Sequence, residues 1–67
     1  MNELNNNIRA LRKQAGLTQA DLAREVGVSR KTINTIENRV FVPSTPLALK
    51  LAAALKVKVE ELFWLED

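Results

Sequence analysis

Sixty-seven residues with 46% apolar content and a formal net charge of +2 fit one small globular domain and little more. Cys and His are both absent, which removes disulfides, thiolate nucleophiles, imidazole bases and the usual zinc ligands. No apolar run approaches the ~20 residues of a membrane span, and Met1 to Asn7 has no signal-peptide character, so a cytoplasmic location is the simplest expectation.

In chain order, Asn5, Asn6 and Asn7 precede the first periodic segment, and one of them is expected to cap it. Ile8, Leu11, Arg12 and Ala15 then share one helical face, and Gly16 is a C-terminal stop. Leu17 turns inward. Thr18 is a good N-cap for a second helix, with Asp21 at its third position and Leu22, Ala23 and Val26 on its buried face. Gly27 supplies the positive φ of a tight turn and Val28 inserts from it. Ser29 caps a third helix that runs to about Asn38, anchored by Ile33 and Ile36; Asn38 is expected to take the left-handed closing conformation.

Arg39 to Thr45 reads as a loop. Ser44 or Thr45 caps a fourth helix with Pro46 in its first turn. Leu47, Ala48, Leu51, Ala52, Ala54 and Leu55 predict a wide apolar face and a central, mostly buried helix. A short fifth helix spans Val59 to Leu62 or Phe63, with Glu60 and Glu61 at its N-terminal dipole. Phe63, Trp64 and Leu65 in succession do not fit one helical face. Two alternatives stand: a strand pairing with Met1 to Leu4, or a contact patch for a second subunit.

Thr18 to Asn38 therefore reads as a helix-turn-helix. The crossing accepts only a small side chain, here Ala23, and the turn needs Gly27. The free face of the second of these helices carries Arg30, Lys31, Asn34 and Thr35, residue types that hydrogen-bond base edges. The charge distribution is uneven. Seven basic residues face three acids between positions 9 and 39, whereas the tail has Lys58 against Glu60, Glu61, Glu66 and Asp67. Polyanion binding at one end and simple solvation of helix surfaces both account for that pattern.

With Gln19, Ala23, Gly27, Val28, Ser29, Ile33, Ile36 and Glu37 followed by Pro43, Leu51, Ala52 and Leu55, the chain resembles the Cro/cI-type (XRE) helix-turn-helix family over about Ile8 to Leu62. It is most similar to the short, stand-alone repressor type. The resemblance implies an all-α, five-helix lambda-repressor-like DNA-binding domain filling 1–67, with the helix-turn-helix at 18–38. Some members of that type pair their two termini as a short ribbon and form homodimers.

The resemblance also implies site roles. Arg30, Lys31, Asn34 and Thr35 would contact bases. Thr18, Gln19, Ser29, Thr32, Asn38 and Arg39 would contact phosphate, and Arg12 with Glu37 would form a structural ion pair. Arg9, Lys13 and Arg24 read as surface charges. A homodimer on double-stranded DNA is expected, with no cofactor, metal, membrane or small-molecule substrate. Phe41, Val57, Leu62, Phe63 and Leu65 are the candidate dimer interface, chosen because apolar residues are in excess near the chain end. Three features depart from the family pattern: Arg39 where Gly is common, an apolar Val40-Phe41-Val42 loop, and Lys58 where Ser or Thr usually caps the last helix. The alternative function is an antitoxin or other protein-interaction module on the same fold. An enzyme is nearly excluded, for want of catalytic residue types and of length to enclose a substrate.

Overall fold

The computed structural model describes residues 3–66, in the order β1 (Glu3–Asn6), α1 (Ile8–Gln14), α2 (Gln19–Val26), α3 (Arg30–Glu37), α4 (Thr45–Ala54), α5 (Val59–Leu62) and β2 (Phe63–Glu66). The five expected helices are present, with a two-stranded antiparallel ribbon joining the chain ends. Its register pairs Glu3 with Glu66, Leu4 with Leu65, Asn5 with Trp64 and Asn6 with Phe63. The N-terminal strand thus lies further along than Met1 to Leu4; Met1 and Asn2 are outside the described residues.

Helix starts follow the capping residues. Thr18 and Asp21 form a reciprocal capping box, with the Thr18 hydroxyl oxygen accepting from the Asp21 N–H at 3.0 Å and the Asp21 carboxylate accepting from the Thr18 N–H at 3.0 Å. Ser29 accepts from the Thr32 N–H at 3.1 Å and Ser44 from the Leu47 N–H at 3.3 Å. At α5 only the reverse half of such a box exists. The Glu61 carboxylate accepts from the Lys58 N–H at 2.8 Å, while the lysine ammonium has no lone pair to offer in return. At α1 the capping position is Asn7, but its side chain caps nothing and its buried Oδ1 has no partner among the described residues. Asn6 does the work instead: its Oδ1 accepts from the Ile8 N–H at 3.1 Å and its Nδ2 donates to the Ile36 carbonyl at 3.0 Å. One amide therefore ties β1, the start of α1 and the end of α3.

Helix ends share one device. After α1, α3 and α4 the chain turns left-handed at Gly16, Arg39 and Lys56, and paired backbone bonds satisfy the last carbonyls. At α3 these run from Val40 N–H to Thr35 at 2.9 Å and from Arg39 N–H to Ile36 at 3.0 Å. Gly27 closes α2 at φ +76°. The left-handed residue after α3 is Arg39 at φ 62°, not Asn38, which sits at φ −88°. The reason is positional: Asn38 is the last near-helical residue, and reversal belongs to the one after it.

The core gathers Ile8, Leu22, Ala23, Val26, Ile33, Ile36, Leu51, Ala52, Leu55, Leu62 and Phe63. Helix α2 packs on both α3 and α4, so Ala23 lies at the crossing with almost no exposed surface. Helix α4 is less buried than its composition predicts. Only Leu51 and Ala52 are fully enclosed, and Leu49 is exposed. Leu49, Lys50 and Ala53 lie on the exposed side of the helix.

Strand geometry resolves the terminal aromatic run. Alternation puts Phe63 on the core face and Trp64 on the outer face. Leu65 returns to the Phe63 face but projects beyond the core and is 64% exposed. Leu62 and Phe63, expected at a dimer contact, are therefore core residues of the single chain. Val57 is half-buried against that core, leaving Phe41 and Leu65 of the expected set at the surface.

Candidate nucleic-acid interface

Helix α3 is built as an exposed rod on a buried spine. Ile33 and Ile36 face inward at 0% and 1% exposure, which turns the opposite side outward by helical periodicity. On that side Arg30 and Lys31 are exposed in the first turn, and no acceptor among the described residues holds either. Asn34 and Thr35 follow one turn later, half-buried. The Thr35 hydroxyl donates to the Thr32 carbonyl at 3.0 Å, so what it offers a base is acceptor capacity and its methyl group. Ser29 and Thr32 hydroxyls lie 2.9 Å apart, linked to each other at the helix start.

The expected phosphate ligands are less uniform. Thr18 is exposed at the start of α2, and its own N–H is committed to Asp21. Hydrogen bonds from the Thr18 backbone and hydroxyl, aided by Arg24, hold the Asp21 carboxyl below its ordinary range. Gln19 is half-buried, and its Nε2 donates inward to Glu37 at 3.2 Å. Asn38 is exposed, but its Nδ2 donates to the Asn34 carbonyl at 2.9 Å and to Asn34 Oδ1 at 3.2 Å. Arg39 lies 3.7 Å from Glu66 of β2, both half-exposed.

Glu37 organises this side of the interface. Its side chain is 1% exposed and accepts from Arg12 Nε at 2.8 Å, Arg9 Nε at 3.2 Å and Gln19 Nε2 at 3.2 Å. Arg12, itself buried, also donates to the Leu17 carbonyl at 2.9 Å. The Arg12–Glu37 ion pair is therefore present, and one carboxylate joins α1, the start of α2 and the end of α3. Burial acts to raise the Glu37 pKa, but the hydrogen bonds from Arg12, Gln19 and Arg9 outweigh it, so the group stays ionised below its ordinary range.

Two residues that tie α1 to the end of α3 were not fully legible in sequence. Arg9 reads there as a surface charge; its spacing of three from Arg12 was the available signal that both reach one acceptor. Asn6 was one of the three Asn expected to cap α1, and nothing local marked it as the one that also reaches the Ile36 carbonyl. Among the described residues no group of His, Cys, Asp and Glu could hold a metal ion, and no helix is long and apolar enough to cross a membrane.

Comparison with known proteins agrees with this geometry. The Helix-turn-helix family model matches residues 8–62. The HTH-type transcriptional regulator YgzD of Bacillus subtilis is 42% identical over 64 residues, 96% of this chain and 97% of that protein. An HTH-type transcriptional regulator of Methanocaldococcus jannaschii is 44% identical over 64 residues, again 96% of this chain and 97% of that protein. Among solved structures, the restriction-modification controller protein C.AhdI from Aeromonas hydrophila is 35% identical with a TM-score of 0.76, covering 81% of this chain and 82% of that one. A protein from Bacteroides fragilis, 26% identical, shares the fold at a TM-score of 0.82 over 91% of this chain and 98% of that one.

Proposed function

The chain belongs to the helix-turn-helix family of DNA-binding transcriptional regulators, which are not enzymes, and we propose that within it this protein is a cytoplasmic repressor acting as a homodimer. The observation that carries the reading is the outer face of α3, where Arg30 and Lys31 project without partners among the described residues from a helix whose inner face is locked by Ile33 and Ile36. A helix of that build enters the major groove with its first turns against base edges. Arg30 pairs with guanine in a bidentate geometry, Lys31 reaches guanine or phosphate, and Asn34 and Thr35 read the next step.

Ser29 and Thr18, with Gln19, Thr32 and Arg39, line the phosphate walls on either side. A two-fold dimer places two copies of α3 one helical turn apart, ~10 bp, and so selects an inverted repeat. Occupying that site excludes other proteins from the promoter, which is the repressing step. Support for a second copy comes from the loop after α3 and the ribbon beside it. Val40, Phe41, Val42 and Leu65 expose apolar surface of a kind that a monomer in water does not favour.

Selection of bound duplexes from a random library tests the whole reading. The expected product is an inverted repeat with half-sites about one turn apart. Enrichment of a single half-site would retain α3 as the reader and remove the dimer. Salt-sensitive binding with no enrichment would favour the protein-interaction alternative, an antitoxin included. On the selected site, Arg30→Ala is expected to lose about 1–3 kcal/mol and blur one base position; equal losses on selected and random DNA would reassign Arg30 to phosphate.

A further inference from the structure

We infer that Arg9 of α1, held by Glu37, is a phosphate-binding group at the C-terminal edge of α3, in the place the family resemblance implies for Asn38. The inference rests on the DNA-binding reading above and follows from which donors are free. At this edge Asn38 is the expected ligand, yet both of its amide hydrogens point at Asn34, through the carbonyl at 2.9 Å and Oδ1 at 3.2 Å. Its remaining atom is an acceptor, Oδ1, which a phosphate oxygen would repel, and which faces Arg9 Nη2 at 3.5 Å. Gln19 has turned one amide hydrogen to Glu37.

Arg9 is different. Its Nε donates to Glu37 and one Nη2 hydrogen is directed at Asn38, while the rest of its guanidinium has no acceptor among the described residues. The side chain is 54% exposed, so those donors are open to solvent. Arg9 and the buried Arg12 share the single Glu37 carboxylate, at 3.2 and 2.8 Å, so the cluster of two guanidiniums and one carboxylate keeps a net positive charge. Lys13, one turn along α1, lines the same open hollow with Asn6, Asn7 and Ala10, and adds a second cation.

A helix in the major groove runs between two phosphate walls, and groups beside its ends meet them. Arg9 touches the last residues of α3 from the side, sharing one carboxylate with Gln19 at the start of α2. Glu37 is thus a positioning residue: it aims an α1 cation at the backbone and brings a third helix into the footprint. The contact carries no base information, so it strengthens binding to every sequence alike.

The test is a salt titration of binding to the selected duplex and to a random one, for the unsubstituted protein, Arg9→Ala, Arg9→Lys and Asn38→Ala. Arg9→Ala is expected to weaken both duplexes about tenfold and to lower the slope of log K against log salt by ~0.9 per protomer bound. Arg9→Lys keeps the slope because it keeps the charge, and Asn38→Ala leaves the affinity for both duplexes unchanged. Should Arg9→Ala melt too low to assay, Arg9→Gln removes the charge while its amide still reaches Glu37, and reads the same slope. An Arg9→Ala or Arg9→Gln slope equal to that of the unsubstituted protein would overturn the inference, as would a tenfold loss of affinity on both duplexes in Asn38→Ala. An unsubstituted protein with no salt-dependent binding would overturn the DNA-binding reading itself, and Arg9 with it.

Discussion

The α2–α3 unit and the loop-and-ribbon region that follows it dispose of their apolar residues in opposite ways. In α2 and α3 every large apolar side chain is turned in: Leu22, Ile33 and Ile36 are between 0% and 1% exposed, and what remains outside, apart from Ala20, is polar or charged. In the loop and ribbon, Val40 is 77% exposed, Val42 65% and Leu65 64%. The first surface suits a hydrated, charged partner. The second suits one that removes apolar surface from water. The difference shows that the fold's stability and its outward contacts are carried by different residues, so substitutions should separate them.

The largest effect tests the first region. Glu37→Ala leaves the Arg12 guanidinium buried without its carboxylate and is expected to cost about 3–5 kcal/mol. That is comparable to the whole stability of so small a core. Denaturant titration should find the variant largely unfolded; a midpoint near that of the parent would mean that Arg12 finds another acceptor. Ile33→Ala should cost ~2–5 kcal/mol through the cavity it leaves.

Acid probes the same carboxylate with no substitution. The folded pKa of Glu37 lies below its ordinary 4.5. Its contribution is therefore complete above the unfolded value and is lost as pH falls through the folded one. Thermal midpoints should be flat from neutral pH to about 5 and fall below 4. In Glu37→Gln the acid-side fall should be shallower, and an unchanged fall would place the sensitivity elsewhere, for instance at Asp21.

The boundary between the two regions gives a smaller effect with a definite sign. Arg39 holds φ 62°, where a side chain is strained, while Gly27 holds φ +76° with nothing within 4 Å of the place a Cβ would occupy. Arg39→Gly should therefore stabilise the fold by ~1 kcal/mol, and Gly27→Ala destabilise it by a similar amount through backbone strain alone. The same Arg39→Gly change should weaken DNA binding if the guanidinium reaches phosphate. Equal DNA affinity would assign Arg39 to Glu66 instead.

The smallest stability effect belongs to the second region. Leu65→Ser should change folding stability by less than ~0.5 kcal/mol, since that side chain is largely in water, and Phe41→Ser by ~1 kcal/mol, since about half of Phe41 is covered. Sedimentation should nonetheless show self-association weakened. A large loss of stability would mean that these side chains pack on their own chain, and unaltered association would move the dimer contact away from them.

What the sequence determined by itself is the local part of this protein. Thr18, Ser29 and Ser44 as caps, Gly16 and Gly27 as stops, and the inward spacing of Leu22, Ala23, Val26, Ile33 and Ile36 all depend on neighbours within one or two turns, and each is where its pattern put it. The Arg12–Glu37 pair was legible too, though only through family resemblance. Tertiary structure decided the rest. Asn6 rather than Asn7 serves the start of α1 because its amide also meets the Ile36 carbonyl thirty positions away. Phe63 is buried and Leu65 exposed, although both lie on one strand face, because the core ends between them. The donors of Gln19 and Asn38 turn inward, and those of Arg9 stay free, because Glu37 and Asn34 stand where the folded helices bring them. Periodicity and capping are short-range and can be read along a chain. Which of several similar polar groups is left with a free hydrogen is settled only when distant segments meet and compete for the same acceptors.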